Sequence, residues 1–290
     1  MATQALAGRS FLVTGASSGI GRSVLESLVA RGAGVVVATR SEEKTRPVLD
    51  DLRRQHPGAD VLWLPLDLSD LRSVAQAADV FLQSGRPLHV LINNAGVAGA
   101  AGTTRDGFEI TVGTNHLGPF LLTERLLPRL REAPAARIVN VASRASERVR
   151  SVDWNDFTRL PSGARDRFRR YQVSKLFNVM HARELAKRLE GTRVTTCSLH
   201  PGVIASDVWR EIPRPIQALM KLFMGTNQEG AEQVLHCALA PELERSSGRY
   251  YDRFREVPPN PLVEDGALCL ELYRRSEELI ARALKAREAA

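Results

Sequence analysis

Tyr171-Gln-Val-Ser-Lys175 sets a phenol and an amine four residues apart, which on a helix puts both on one face. A phenol of pKa about 10 is a poor acid or base at neutral pH, and an adjacent ammonium stabilises its phenolate toward the working range. Such a pair is common by chance, so its weight depends on its company. Thr14-Gly-Ala-Ser-Ser-Gly-Ile-Gly21 stands between an apolar run and a helical pattern. There Gly15 allows a tight turn, Gly19 admits a pyrophosphate close to the backbone and Gly21 lets the helix pack on a sheet. Ser17, Ser18 and Ile20 belong to the same turn, where the helix N-terminus offers oriented N–H groups to an anion. About 20 residues on, a site reading a ribose diol would carry an acid. The chain has Thr39-Arg40 instead, and a guanidinium suits a 2′-phosphate that an acid would repel. Arg22, just past the last glycine, is placed to assist. Asn93-Asn-Ala-Gly96 ends a further strand pattern, bringing Asn94, Ala95 and Gly96 beside the same ligand. Ser143 follows a fifth apolar run, and Asn115 lies on the helix before that run.

Apolar runs that read as buried strands must position these residues: Ser10 to Thr14, Val35 to Thr39, Val61 to Leu64, Val90 to Ile92, Ile138 to Val141 and Arg193 to Leu199, with a short one near Arg249 to Tyr251. Helical patterns fall between them: Gly19 to Arg31, one capped by Ser41 ahead of two acids, Asp70 to Gln83, Thr104 to Leu130, Tyr171 to Leu189, Gln228 to Leu239 and a last one from Leu268. Continuous apolar strands alternating with amphipathic helices predict a doubly wound parallel sheet with helices on both faces. No composition break divides residues 1–290, so a single domain is expected. Its least regular parts are an insertion around 145–170 and the Pro-rich tract Pro258 to Pro261.

With 43% hydrophobic and 25% charged residues among 290, the composition is that of a soluble globular protein. Cys197, Cys237 and Cys269 are far apart, which argues against a disulfide framework or structural zinc. His116 and His200 have no second ligand at useful spacing, so no metal is expected. No apolar stretch approaches a membrane span, and Met1 to Gly8 lacks the pattern of a signal peptide, so a cytoplasmic protein is expected. The formal charge of +7 raises nucleic acid as a partner. However, the 35 arginines are scattered opposite acids, with no aromatic platform and no repeat, which argues against it.

Thr14 to Gly21, Asn93 to Gly96, Asn115, Ser143, Tyr171 to Lys175 and His200-Pro-Gly202, in that order, resemble the motifs of the short-chain dehydrogenase/reductase family over essentially the whole chain. The resemblance implies a Rossmann-type sheet of about seven strands and a catalytic tetrad of Asn115, Ser143, Tyr171 and Lys175. In that family the tyrosine exchanges a proton with the substrate oxygen. The lysine lowers its pKa and holds the nicotinamide ribose, the serine hydrogen-bonds the carbonyl, and the asparagine supports a relay water. Asp67-Leu68 matches the family's adenine contact, and Pro201, Gly202 and Val203 its contacts near the nicotinamide.

A narrower likeness joins the chain to the retinol dehydrogenase-like branch. It rests on Thr39-Arg40, Asn115-His-Leu-Gly-Pro-Phe-Leu-Leu-Thr123, Ala182 to Ala186, Leu199 to Gly202, Gly230 to Ala238 and Ser247 to Tyr250. The 28-position step from Ser143 to Tyr171 also fits that branch. The likeness implies an NADP(H)-dependent enzyme interconverting lipophilic alcohols and their aldehydes or ketones, that is, a carbonyl reductase or alcohol dehydrogenase. A non-catalytic dinucleotide-sensing or scaffold protein on the same fold is the alternative. The substrate-loop region around 203–226 contains Pro213 to Met224, apolar with two cations. That tract could line the substrate cleft, make weak peripheral contact with a membrane, or complete the core. Monomer and homo-oligomer both remain open. From Arg144 to Arg170 the insertion carries eight arginines against four acids. Most are expected to be solvated, with at most one or two of Arg165, Arg167, Arg169 and Arg170 facing the cleft, where a cation would favour acid-bearing substrates.

Overall fold

The computed structural model describes residues 5–202 and 225–288, so Val203 and Pro213 to Met224 lie outside the described residues. Runs such as Phe11 to Val13 and Val35 to Val37 are apolar on both faces, and only a sheet covered on both sides buries them. The strands are β1 (Ser10–Thr14), β2 (Gly34–Thr39), β3 (Val61–Pro65), β4 (Val90–Asn93), β5 (Ala136–Val141), β6 (Val194–His200), β7 (Arg249–Asp252) and β8 (Arg255–Glu256). They form one sheet in the order β3-β2-β1-β4-β5-β6-β7-β8. Pairing is parallel from β3 to β7, and β8 alone is antiparallel.

Alternate side chains leave the two faces of each strand. Leu12, Val36, Leu91 and Ile138 join one core with α3 (Leu71–Gln83), α4 (Gly118–Glu132), α5 (Ala164–Arg188) and α7 (Gly266–Glu288). Phe11, Val13, Val35, Val37 and Val139 join the other with α1 (Gly19–Ala30), α2 (Glu42–Gln55) and α6 (Asn227–Leu239). The expected doubly wound α/β sheet is thus present, and its parallel strands turn their C-terminal ends to one edge. There Thr14, Thr39, Asn93, Val141 and His200 end their strands. Among the described residues no helix is long and apolar enough to cross a membrane.

Three elements differ from the sequence reading. The helix expected over Thr104 to Leu130 is interrupted: Gly107, at φ +84°, closes a turn in which Thr104 N donates to Phe108 O at 2.8 Å. A helical turn at Ile110–Val112 and a π turn at Gly113–Leu117 then lead into α4. The helix bearing Tyr171, read over Tyr171 to Leu189 with several of the preceding arginines extending it, begins at Ala164 and takes in all of Arg165, Arg167, Arg169 and Arg170. The eighth strand follows a two-residue turn in which Arg253 and Phe254 take positive φ, so no glycine or asparagine marks it in the sequence. The Ser41 cap is as expected, its side chain accepting from Lys44 N at 3.3 Å.

Gly118 is where α4 crosses the chain leaving β3, and a Cβ there would overlap the Leu68 carbonyl oxygen. Helix propensity alone would make Gly118→Ala stabilising by about 1 kcal/mol. The backbone contact reverses that sign, and a net loss of about 1–3 kcal/mol is expected in urea unfolding. A variant as stable as wild type would show that the two segments part without cost.

Candidate active site

The turn after β1 has Gly15 at φ +70° and Gly19 at φ +58°. Thr14 holds the ends of β1 and β4 together. Its hydroxyl accepts from Asn94 N and Ala95 N, each at 3.0 Å, and its carbonyl accepts from the Asn94 amide at 2.9 Å. A Cβ on Gly21 would lie 2.5 Å from that amide nitrogen and 2.6 Å from Gly15 O, so α1 can approach the strand end only as glycine. Ile20 is buried in the core under α1.

Gly15, Ser17 and Ser18, then Arg40, Asp67 and Leu68, then Ala95 and Gly96 line one cleft of about 460 Å³. Asp67 is fixed there by Ser69 and Ser73: its carboxylate accepts from Ser69 Oγ at 2.6 Å, and its N–H donates to Ser73 Oγ at 2.9 Å. Lys44 lines the same cleft and was not singled out from the sequence. It stands in the first turn of α2, where the helix dipole disfavours a cation and Glu42 and Glu43 are the ordinary choice. That misplaced positive charge was the available signal. Arg22 pairs instead with Glu26 along α1, at 2.7 Å. At the other end of the edge, Pro201 O accepts from Gln233 Nε2 at 2.9 Å, and Gly202 takes φ +99°.

Ser143, Tyr171, Lys175 and Asn115 come together where β5 and α5 meet. Ser143 stands beside the Tyr171 phenol and pulls its pKa down, while Ser143 Oγ accepts from Ala145 N at 3.2 Å. Lys175 Nζ lies 5.8 Å from the centre of the Tyr171 ring and donates to Val141 O at 2.8 Å. Asn115, in the π turn, accepts from Val97 N at 2.8 Å and donates to Val97 O at 2.9 Å and to Ser174 Oγ at 3.0 Å. Ser174 in turn donates to Tyr171 O at 2.8 Å, which makes it a second contributor missed in the sequence. All four residues are buried or nearly so. In the protein alone, the expected lowering of the phenol's pKa is therefore not the net effect. Burial raises Tyr171 above its usual value, against the pull of Ser143, and pushes Lys175 from 10.5 down to about 8.

Most arginines of the insertion are exposed, as expected, but Arg170 is not. Arg170 is fully buried and Arg169 partly exposed, and both grip the fully buried carboxylate of Asp156, Arg169 Nη1 at 2.6 Å. Arg159 joins them from the insertion, and Arg144 reaches Asp252 at 2.6 Å. Arg165 is exposed and Arg167 half-buried. His116 is buried among Phe120, Phe157, Phe177 and His181, its Nε2 sharing a hydrogen bond of 2.8 Å with Ser276 Oγ of α7. Burial takes the His200 imidazole down to about 4. Among the described residues no group of three or more His, Cys, Asp and Glu side chains could hold a metal ion.

Residues 9–155 match the family model for short chain dehydrogenase. The chain belongs to the short-chain dehydrogenase/reductase family. It is 42% identical to dehydrogenase/reductase SDR family member 13 of Bos taurus over 284 residues, covering 94% of this chain and 74% of that protein. It is 40% identical to retinol dehydrogenase 12 of Homo sapiens over 281 residues, covering 95% and 87%. A crystal structure of an uncharacterized protein from Mycobacterium Paratuberculosis superposes with a TM-score of 0.73 at 28% identity, covering 96% and 95%. These likenesses place the chain in the retinol dehydrogenase-like branch of a family of oxidoreductases.

Lys175 ties the site to stability. Between pH 10.5 and about 8 the unfolded chain carries a proton on this amine that the folded protein resists, so the amine's contribution becomes less favourable as pH falls. Lys175→Met is expected to stabilise the cofactor-free protein at pH 7 by about 2 kcal/mol, the cost of the buried amine less its bond to Val141. Unfolding followed across pH should show the gain vanish above pH 10.5. A variant less stable than wild type at pH 7 would mean that the amine is at home in its site.

Proposed function

We propose that this chain is an NADP(H)-dependent oxidoreductase that interconverts a lipophilic alcohol and its aldehyde or ketone, as a single cytoplasmic dinucleotide-binding unit. The observation that carries the reading is the continuity of the edge. One end is a cleft with two cations, Arg40 and Lys44, and no acid at the end of β2; the other is the buried set of Ser143, Tyr171 and Lys175.

The residues fit such a cofactor. The turn at Gly15 to Gly21 would take the pyrophosphate, Arg40 and Lys44 the 2′-phosphate, and Asp67 and Leu68 the adenine side. Asn94, through its hold on Thr14, with Ala95 and Gly96 would border the ribose, and Pro201, Gly202 and Val203 the nicotinamide. When bound, the cofactor supplies or accepts the hydride. Ser143 then donates a hydrogen bond to the substrate oxygen, and Tyr171 gives that oxygen a proton on reduction or takes one on oxidation. The Lys175 ammonium, charged more fully once polar groups of a ligand surround it, favours the phenolate. Asn115, whose amide is committed to Val97 and Ser174, holds the π turn and borders the route by which the proton is replaced. The lipophilic substrate class is supported by the names of the relatives, retinol dehydrogenases among them.

Arg40→Asp is expected to weaken NADPH binding about 30-fold, or about 2 kcal/mol, since attraction becomes repulsion, with NADH little affected. Titration of both cofactors checks it, and an unchanged preference removes Arg40 from the site. Tyr171→Phe is expected to lower kcat by about 100-fold or more while NADPH still binds, because only the hydroxyl moves the proton. Near-normal turnover of retinal, fatty aldehydes or aromatic ketones by that variant would assign proton transfer to another group.

A further inference from the structure

Arg170, directly before Tyr171 in the chain, heads the fully buried side chains by size among the described residues. Its Nη1 donates to Asp156, its Nε donates to Arg159 O at 3.3 Å, and Asp166 lies 3.6 Å away. Asp156 and Glu109 are also fully buried. Glu109 Oε2 accepts from Thr111 N at 3.0 Å and Val112 N at 2.8 Å, capping the helical turn that runs on into Asn115. Its own N–H donates to Phe157 O at 2.7 Å, next to Asp156. Burial pushes the Glu109 carboxyl up, against its bonds to Val112 and Thr111 and, more weakly, the Arg170 charge. Phe157 completes the joint by stacking on Phe177 of α5, centroids 5.3 Å apart, and by lying 6.1 Å from His116.

Burying charges this completely is rarely the most stable arrangement, since apolar side chains of similar volume often serve stability as well or better. What charges add is direction: a guanidinium and a carboxylate fit in few orientations. We propose that Asp156 and Arg170 are positioning residues of the reaction site, locking the insertion between the turn of Asn115 and the helix of Tyr171 so that the two segments move as one body. The inference rests on the oxidoreductase reading above. It assigns the insertion a task within the catalytic edge that its arginine content alone does not indicate.

The test compares the wild-type chain with Asp156→Asn, Arg170→Lys, Arg170→Met and the paired variant Asp156→Leu with Arg170→Met. Steady-state kinetics with NADPH and a carbonyl substrate, NADPH titration, urea unfolding and amide hydrogen exchange over residues 108–117 and 164–178 are recorded for each. Asp156→Asn should lose about 10-fold or more in kcat, as small misplacements of reacting groups do. Its NADPH dissociation constant should stay within about twofold of wild type, because that cation-lined cleft is built by other segments. Exchange should quicken in both segments together. The paired variant should keep the wild-type unfolding midpoint and still lack wild-type kcat, and Arg170→Lys should recover part of what Arg170→Met loses. A paired variant with wild-type kcat, or quickened exchange confined to one segment, would overturn the proposal. Should the wild-type chain reduce no carbonyl at all, the oxidoreductase reading fails, and coupled exchange still decides whether the two segments form one body.

Discussion

The side-chain amide of Asn115 joins three segments that are remote in sequence. It closes a pair of hydrogen bonds with the backbone of Val97, just beyond β4, and reaches Ser174 on α5, which in turn holds the carbonyl of Tyr171. The loop bordering the cleft and the helix carrying the phenol are therefore referenced to one buried carboxamide. A π turn at Gly113–Leu117 is what aims it, by interrupting the regular helix ladder at this point. Gly96 lies so close that a Cβ there would be 3.3 Å from Asn115 Oδ1 and 3.4 Å from Lys175 Nζ, so the loop, the turn and the amine share one packed space.

Parallel pairing supplies the frame for this joint. Because β1, β2, β4, β5 and β6 run the same way, every strand end with a polar function arrives at one edge, and helices on both faces keep the strand backbones dry. A dry edge changes the chemistry of what is placed there. Burial holds Lys175 at about 8, so its amine is still mostly charged at pH 7 but gives up its proton well below the usual lysine range, while the same cause raises the Tyr171 phenol and keeps it neutral. Catalytic competence on this reading requires a polar ligand to complete the environment, which couples acid–base readiness to cofactor binding.

The insertion shows how similar residues can serve opposite ends. In Arg144 to Arg170 a surplus of arginine suggests solvated surface or an anion contact, yet Asp156 gathers Arg159, Arg169 and Arg170 around one buried carboxylate. Sequence spacing does not reveal this, because Asp156 and Arg170 are 14 residues apart and meet only when a short 3-10 helix at Trp154–Phe157 folds back on α5. The same closure seats Phe157 against Phe177 and draws Glu109 into the joint.

Much of this protein was legible in its residues because the signals were local. Continuous apolar runs, period-3.6 patterns, the Ser41 cap and the glycines of the first turn each report a local preference that needs no distant partner. From these the doubly wound sheet and the strand-end position of Arg40, Asn94 and Ser143 followed, and spacing along one helix gave the Tyr171 and Lys175 pair. Tertiary structure decided what depends on groups brought from afar. The break before Ile110 needs the buried cap of Glu109 and its bond to Phe157. The eighth strand needs Arg253 and Phe254 held in a conformation they do not prefer, with Gln233 accepting from Arg253 N at 2.9 Å. Ser174 beneath Asn115 and the buried Arg170 carry no individual mark in the sequence, because burial and long-range hydrogen bonding give a side chain its dielectric and its partner only after the chain has closed.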